Sequence, residues 1–463
     1  MDLWHATKNA AEALVAPFQD PVLRLGVTGL SRAGKTVFIT SLVANLMDRA
    51  RMPQLQAAAE GRVLAAWLQP QPDDAVARFA FEDHLAALTA PEPRWPEGTR
   101  RVSQLRLSLR LAPRGAFAWG GPRTLHLDVV DYPGEWLLDL GLLDQDFGAW
   151  SEGALARAAT RPGGAAFLQA LEAAEPTAPV DELRLRDLAA LYAAHLGASR
   201  EAGFSDLSPG RFLLPGDLEG SPVLTFAPLP SAPEASRRSL WRECERRFES
   251  YKRLVVEPFF RDHFARIDRQ VVLVDVLGAV SRGPAALDDL RTAMAGVLRA
   301  FNPGRSAWLA RLLGQRRVGR ILFAATKADH LHHSQHPRLA ALTEALLREA
   351  RDRADFAGAE TASMAIASLR TTVEDTVTHE GAPIEVVRGR LLSTGAQAAL
   401  HPGDLPEDPQ ALLAPARAGA AAWPLAGYAA QDFAPAPLSL RPGEGPPHVR
   451  LDRAAEFLLG DKL

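Results

Sequence analysis

Cysteine and lysine are both scarce in this sequence of 463 residues. The single cysteine, Cys244, excludes an internal disulfide framework and offers no pair of zinc ligands, a composition typical of a reducing compartment. We therefore expect a cytoplasmic protein. Only five of the 52 basic residues are lysine, so arginine occupies almost every position where either cation would serve. A position that keeps lysine therefore indicates a site into which the planar guanidinium group of arginine does not fit.

Long apolar runs and a net positive charge are also missing. The stretch from Val271 to Val280 is well short of the roughly 18 residues that a membrane span needs, and Asp275 interrupts it. The formal net charge of −3 argues against sequence-independent nucleic-acid binding, so we expect no nucleic-acid partner. Residues Met1 to Gln19 lack the features of a secretion signal and predict a short amphipathic helix.

The composition is that of a folded protein, with 47% hydrophobic and 23% charged residues. Short apolar runs predict strands at Val22 to Val27, Leu105 to Leu111, Leu125 to Asp131, Val271 to Val276, Ile321 to Ala325 and Thr361 to Ser368. Helical patterns between them indicate an α/β fold, with a mostly parallel sheet covered by helices on both faces. Those core helices are predicted at Phe38 to Leu46, Pro284 to Ala300 and Arg338 to Arg353.

A chain of this length predicts large insertions into one core or a second domain. We expect the core in residues 1–50, 97–134 and 271–370, a helical insertion in 51–96 and a second, mainly helical one in 135–270. Predicted insertion helices are Leu55 to Leu68, Asp74 to Leu88, Leu137 to Ala159, Ala165 to Ala174, Val180 to Ala194 and Ser236 to Ile267. For residues 371–463 we expect an edge hairpin near Pro383 to Leu391, loops and a final helix.

The segment from Gly29 to Thr36 has the spacing of a phosphate-binding loop. Glycines let the backbone N–H groups turn inward around a phosphate, Lys35 reaches the β- and γ-phosphate oxygens, and the Thr36 hydroxyl ligates Mg²⁺. A strand precedes the segment and a helix follows it, as this chemistry requires. We expect Lys35 to be an exposed ligand group, and the predicted nucleotide contacts include Gly29, Ser31, Arg32, Ala33, Gly34, Lys35 and Thr36.

Asp131-Tyr132-Pro133-Gly134 ends the strand Leu125 to Val130. Its position predicts that Asp131 holds a water of the Mg²⁺ shell and that the Gly134 N–H senses a γ-phosphate. Taken in isolation, the same four residues are an ordinary strand-ending turn.

Thr326-Lys327-Ala328-Asp329 ends a later strand at the same predicted sheet edge. A carboxylate at Asp329 can accept hydrogen bonds from N1–H and the N2 amine of guanine, while the stem of Lys327 lies along the base. Adenine lacks both donors, so it would leave the carboxylate desolvated at a cost of a few kcal/mol. The pattern is loose, and an ATPase in which it occurs by accident stays an alternative.

In this order, the three motifs resemble the G1, G3 and G4 elements of GTPase domains. Together with Ser31 to Thr36, Val272 to Ala279 and Phe323 to His333, the chain looks like the bacterial YcjX family of stress-associated GTPase-like proteins over nearly its whole length. The resemblance implies a Ras-like core enlarged by helical insertions, as in G-protein α subunits. It also implies GTP or GDP as ligand and a stress-response setting.

Several further residues are candidates for the hydrolytic step. Thr99 precedes the strand from Leu105, where a GTPase places the threonine that completes the Mg²⁺ shell, although other threonines could serve. Glu135 stands where Ras-type enzymes keep the glutamine that orients the attacking water, so we expect slow hydrolysis. One of Arg94, Arg100 and Arg101 could supply a cation that stabilises the transition state, but we favour the interpretation that these arginines are solvated. Ser368 occupies the place of a base-enclosing loop.

Two charged segments have competing interpretations. His330, His332, His333 and His336 suggest a metal, but because they directly follow the predicted base-recognition loop and no acidic or cysteine ligand accompanies them, a surface or hinge role is favoured. Basic residues between Ser236 and Arg253 could dock on anionic lipid or an acidic partner, which leaves peripheral membrane docking open. Interleaved glutamates favour a solvated face.

The leading hypothesis is therefore a Mg²⁺-dependent GTPase. Its nucleotide state orders Asp131 to Glu135 and the Thr99 region, and the helical insertions form the surface for a protein partner. Its rivals are an ATPase with the same phosphate site and a non-catalytic scaffold that binds nucleotide for stability alone.

Overall fold

The computed structural model describes residues 20–30, 32–98, 101–113, 121–262, 266–299, 318–356, 358–418, 423–425 and 427–463. One eight-stranded sheet organises it, formed by β1 (Val22–Gly29), β2 (Val63–Leu68), β3 (Ala77–Arg78), β4 (Ser103–Leu111), β5 (Arg123–Asp131), β6 (Arg269–Val274), β7 (Arg320–Ala325) and β8 (Glu360–Ala365). The strand order is β2-β4-β5-β1-β6-β7-β8, with β3 beside β4. The strands from β5 to β8 in this order are parallel, while β4 runs antiparallel to β5 and β2.

Helices cover both faces of this sheet, which confirms the predicted fold class. They are α1 (Lys35–Met47), α2 (Gln56–Ala59), α3 (Phe81–Thr89), α4 (Gly134–Leu138), α5 (Phe147–Thr160), α6 (Gly164–Glu172), α7 (Glu182–Glu201), α8 (Leu240–Tyr251), α9 (Glu257–Asp262), α10 (Val276–Ser281), α11 (Pro284–Arg299), α12 (His336–Leu346), α13 (Arg348–Phe356), α14 (Gln410–Ala418) and α15 (Leu451–Leu459). The final helix predicted from the sequence is α15.

Each face of the sheet has its own hydrophobic core. Beneath α1 and α15 the core contains Leu25, Phe38 and Leu458, all fully buried. The opposite core continues without a break from the sheet into the second insertion, where the Trp150 and Phe248 rings stack with centroids 5.0 Å apart. Because its aromatic residues share the sheet's core, the second insertion is fixed to the sheet by apolar burial.

The two helices predicted between Leu55 and Leu88 form only in part, as α2 and as α3, which begins at Phe81. Val63–Leu68 forms β2, which pairs antiparallel with β4, and Ala77–Arg78 forms β3. Alanine and leucine favour a helix locally, but the unpaired edge of β4 offers backbone partners that a local propensity does not register.

Other differences concern breaks and the C-terminal region. The predicted helix Leu137 to Ala159 is interrupted between α4 and α5, and Arg338 to Arg353 is divided between α12 and α13. The predicted edge hairpin is a separate three-stranded antiparallel sheet of β9 (Val373–His379), β10 (Ala382–Arg390) and β11 (Gln397–Leu400). The predicted helix Met1 to Gln19 lies outside the described residues. In the part of the chain that the structure describes, no helix combines the length and apolar character needed to cross a bilayer.

Candidate functional site

The turn between β1 and α1 has a tightly curled backbone with an internal hydrogen bond. Arg32 and Gly34 adopt positive φ angles of 65° and 80°, and Ala33 N–H donates to the Leu30 carbonyl over 3.2 Å. A Cβ on Gly34 would meet no atom within 4 Å, so this side of the turn is open. Backbone of this kind forms a concave nest of N–H groups that suits a phosphate, and the turn opens directly onto the N-terminus of α1.

Lys35 is the first residue of α1 and is buried, contrary to the exposed position expected from the sequence. Its ammonium donates to the carbonyl of Gly29 over 2.9 Å and therefore folds back along the turn. Thr36, the next residue, is also buried. Their positions fit the predicted phosphate and Mg²⁺ contacts, because both side chains belong to the turn of helix beside the nest.

Asp131 ends β5 directly beside β1, where it is paired in register with Val27. Gly134 begins α4 and lies against the turn so closely that a Cβ on it would come 2.1 Å from the Gly29 carbonyl oxygen. Only glycine allows this approach. Since β1 and β5 are parallel, the carboxylate of Asp131 reaches the same sheet edge as Thr36, and an open cleft is lined by both.

The wall of this cleft also carries three arginines from outside the phosphate loop, of which Arg78 belongs to β3. Arg101 lines it from the chain before β4, and Arg211 lines it from the second insertion. The Arg211 guanidinium lies 3.2 Å from the centre of the Trp136 ring and donates to the Pro215 carbonyl. Burial lowers the pKa of Arg211, against the pull of nearby acidic groups. Sequence reasoning missed it, because no motif surrounds it.

A second group of predicted residues follows β7, which is separated from β1 by β6 in the sheet. Lys327 has a positive φ of 60°, and its ammonium is held by Asp275 at 2.9 Å and Asp432 at 2.8 Å. Burial opposes the charge of Lys327, yet these two carboxylates raise its pKa. Thr326 N–H donates to the carbonyl of Val274 in β6. These contacts hold the loop after β7 against the end of β6.

Asp329 is buried and faces the segment that follows β8. Its Oδ2 accepts hydrogen bonds from the backbone N–H and the hydroxyl of Thr371, each over 2.7 Å. Ser368, the predicted base-enclosing residue, is buried in the same segment. A carboxylate has about four acceptor positions, so Asp329 keeps capacity for further donors. Sequence reasoning missed Thr371, because it lies beyond the last predicted core strand and belongs to no motif.

Glu135, the first residue of the second insertion, contacts later parts of that insertion. Its side chain is buried, and its Oε1 lies 3.8 Å from Nη1 of Arg200 in α7. A Cβ on Gly210, also in the insertion, would lie 1.9 Å from the Glu135 carbonyl oxygen. The helix that follows Gly134 is thus packed tightly between the phosphate loop and the insertion.

The remaining candidates separate into three groups. Ser31, Thr99 and Arg100 lie outside the residues that the structure describes. Arg94 is exposed, and its backbone N–H donates to the Ala87 carbonyl. Four basic residues between Ser236 and Arg253 form ion pairs with glutamates: Arg242 with Glu245, Arg246 with Glu243, Arg247 with Glu182 and Glu243, and Lys252 with Glu249. Arg246 is exposed, as the solvated interpretation predicts, whereas Arg247 is buried.

The histidine cluster divides into two buried and two more accessible side chains. His336 donates from Nε2 to the Ala328 carbonyl over 2.7 Å, because its Nδ1 accepts from Arg450. His330 packs edge-on against Phe433, and burial lowers its pKa. The prediction that no acidic ligand accompanies the histidines is wrong for His332 and His333. Glu374 in β9 lies 3.8 Å from Nε2 of His332 and 2.9 Å from Nδ1 of His333.

The strand order and the glycine-rich turn between β1 and α1 define the class of protein, a P-loop protein with a Ras-like sheet. Comparison with known sequences identifies the family within this class. Residues 23–463 match the YcjX-like family, DUF463. The Ras-like GTPase YcjX of Escherichia coli (strain K12) is 38% identical over 471 residues, which cover 98% of this chain and 99% of that protein. The chain belongs to the YcjX-like family, as its motifs predicted.

A second relative gives the same result. The Ras-like GTPase YcjX of Shewanella oneidensis (strain MR-1) is 36% identical over 491 residues, covering 99% of this chain and 98% of that protein. The similarity therefore includes the insertions and the C-terminal region as well as the core.

Proposed function

We propose that this protein binds GTP with Mg²⁺ and hydrolyses it slowly. The observation that carries the proposal is the meeting of three motifs at one sheet edge, where β1, β5 and β7 are parallel and end together. Open α/β sheets bind ligands at the carboxyl ends of their strands. The name Ras-like GTPase borne by both relatives supports guanine as the base.

In this proposal the phosphate loop from Gly29 to Thr36 holds the β- and γ-phosphates. Its backbone N–H groups point at the phosphate oxygens, and Lys35 exchanges its bond to the Gly29 carbonyl for the nucleotide. The Thr36 hydroxyl would ligate Mg²⁺, Asp131 would hold a water of its shell, and Thr99 would complete that shell. A Mg²⁺ held there would neutralise negative charge on the phosphates.

The residues around Glu135 set the rate of hydrolysis. The chain has no glutamine at this position to orient a water, and Glu135 lies beside Arg200 at 3.8 Å. Binding of a γ-phosphate at the Gly134 N–H shifts α4 against the second insertion, whose outer surface then presents a different face to a protein partner. A setting in the bacterial stress response follows from the family resemblance.

Asp329 and Lys327 recognise the base. Asp329 keeps Oδ2 on Thr371 while its carboxylate accepts from guanine N1–H and the N2 amine. Asp275 and Asp432 fix the ammonium of Lys327, so the stem of that lysine is held in one position for the base plane. Ser368, which lies in the segment after β8, encloses the base.

Replacement of Asp329 by Asn tests the assignment of the base. An amide at this position presents a donor to the guanine N2 amine, so GTP affinity falls by several kcal/mol, about the penalty for a buried mismatched pair. Xanthosine triphosphate has a carbonyl there and accepts from the amide, so its affinity rises. The measurement is competition of labelled GTP by GTP, ATP and xanthosine triphosphate.

The control is Asp452→Asn, which changes a buried carboxylate that accepts from the Gln54 N–H outside the site. It should leave the order of nucleotide affinities unchanged. Wild-type protein that binds ATP as well as GTP, with Asp329→Asn weakening all three nucleotides equally, would establish the ATPase alternative. Single-turnover phosphate release distinguishes the proposed enzyme from a non-catalytic scaffold, which would release none.

A further inference from the structure

A group of histidine and glutamate side chains lies outside the proposed nucleotide site, at the boundary between two parts of the fold. His332 and His333 follow the loop that contains Asp329, and Glu374 and Glu385 belong to β9 and β10 of the small sheet. Among the described residues, the ligand atoms of His332, His333 and Glu374 all lie within 4.8 Å of one another. Residues from two distant segments therefore meet here.

The carboxylate of Glu374 is oriented toward both imidazoles. Its Oε1 accepts from the backbone N–H of His333 over 3.0 Å, which leaves Oε2 facing the rings. Oε2 lies 2.9 Å from His333 Nδ1 and 3.8 Å from His332 Nε2. Ligand atoms around a tetrahedral zinc ion are separated by about 3.3 Å, given its bond lengths to nitrogen and oxygen. The two distances to Glu374 bracket this value, and no two of the three ligand atoms are more than 4.8 Å apart.

Glu385 occupies the place of a supporting carboxylate. Its Oε2 lies 2.9 Å from Nδ1 of His332, the ring nitrogen that Glu374 does not approach. Ser334 also donates its hydroxyl to Glu385 over 2.6 Å, which fixes the carboxylate. Histidines that bind metals usually have their second nitrogen on a carboxylate, because this fixes the ring and makes the free nitrogen a better ligand. His332 Nε2 is thereby presented toward Glu374.

The donor set selects the kind of ion. Two neutral imidazole nitrogens and one carboxylate oxygen suit zinc and its neighbours in the first transition row, whereas Mg²⁺ prefers oxygen ligands alone. His333 and Glu374 are partly exposed, with side-chain exposures of 66% and 32%. An ion can therefore enter from solvent and keep water in its fourth position.

We propose that His332, His333 and Glu374 bind a divalent transition metal of the zinc class, with Glu385 orienting His332. The ion joins the loop after β7 to the small sheet, because Glu374 belongs to β9. Through Thr371, which precedes β9, this connection reaches the carboxylate of Asp329. The site is separate from the Mg²⁺ site proposed at Thr36 and Asp131.

Zn²⁺ titration in the presence of excess Mg²⁺ tests the proposal, with a fluorescent zinc indicator as competitor. We expect wild-type protein to bind one equivalent that Mg²⁺ does not displace, and His333→Ala and Glu374→Gln to lose it. Glu385→Gln should weaken binding by about 10–100-fold, as expected for a supporting ligand. The matched control is His379→Ala, which removes an exposed histidine at the other end of β9 and should leave Zn²⁺ binding unchanged.

Co²⁺ provides an independent measurement, because its visible absorption reports nitrogen and oxygen ligands in tetrahedral geometry. The bands should appear with wild type and His379→Ala and be absent from Glu374→Gln, with the far-ultraviolet circular dichroism of all three proteins the same. Wild-type protein that takes up no Zn²⁺ would overturn the proposal. So would equal uptake by His333→Ala and Glu374→Gln, or loss in the His379→Ala control.

Discussion

Lys35 is buried at the start of α1, and its ammonium is held by the carbonyl of Gly29. In the proposed function Lys35 neutralises charge on the nucleotide phosphates, so Lys35→Ala should lose triphosphate binding. Lys35→Arg should lose nearly as much affinity, because the planar guanidinium does not fit where a slim stem follows the turn. Both effects are measured by equilibrium binding of a labelled triphosphate.

Lys252→Arg is the matched control for the arginine substitution. Lys252 donates to the Gln145 carbonyl and Glu249 in the second insertion, so the same chemical change there should leave nucleotide affinity unaltered. Because Lys35 is buried, thermal unfolding of each variant must accompany the binding data. A tightly binding Lys35→Arg protein would show that the scarcity of lysine carries no information about this site.

Residues within a motif could be predicted from the sequence, because the chemistry of the motif fixes their spacing. The structure places Thr36 and Asp131 on one cleft and Gly134 close to Gly29, while their roles in binding stay predictions. Arg211 and Asp432 could not be predicted in this way. Each belongs to a segment far from the motifs in the sequence, and only the tertiary fold brings its charged side chain next to them.

At the scale of elements, the contact between α4 and the second insertion depends on Gly210. Its backbone lies so close to the Glu135 carbonyl that an alanine methyl would overlap it. We expect Gly210→Ala to displace the loop or α4 and to destabilise the fold by about 1–3 kcal/mol, the usual cost of overpacking. Chemical denaturation measures the change in the free energy of unfolding.

Gly197→Ala is the control within the same insertion. Gly197 lies inside α7, and a Cβ there would meet no atom within 4 Å. Alanine is favoured over glycine in a helix, so this variant should be stabilised by up to about 1 kcal/mol. Equal stabilities for the two variants would contradict the close contact between the insertion and α4.

Elements of the core were predictable because each has a strong pattern of its own. The strands β1, β4 and β5 follow the apolar runs and alternation in the sequence. In contrast, β2 has an alanine-rich sequence that favours a helix, and it is a strand because the edge of β4 is available to it. The small sheet of β9, β10 and β11 is likewise determined by pairing between segments.

At the scale of the whole molecule, stability should depend on Asp139. This carboxylate is buried after α4, where it accepts from Gly210 N–H over 2.7 Å and from the Tyr251 hydroxyl. Burial raises its pKa to about 7, although these hydrogen bonds and Arg211 act in the opposite direction. Above about pH 4 the unfolded chain loses this proton while the folded protein keeps it, so the contribution to stability falls as pH rises to about 7.

The difference in unfolding free energy between wild type and Asp139→Asn isolates this effect, because asparagine does not titrate. Between about pH 4 and pH 7 wild type should lose up to about 4 kcal/mol of unfolding free energy relative to Asp139→Asn, which is the free-energy equivalent of the change in pKa. Above about pH 8 it should be constant. Parallel stability curves across this range would show that Asp139 titrates normally in the folded protein.

The position of β1 in the sheet has a consequence for biosynthesis. Its two neighbours are β5 and β6, and the whole second insertion separates those neighbours in the chain. At about 5–20 residues per second, a ribosome needs on the order of ten seconds to proceed from β5 to β6. During that interval the nascent chain exposes one side of its central strand, and unpaired strand edges promote aggregation. Successful production of the protein thus depends on protection of β1 before translation reaches Arg269.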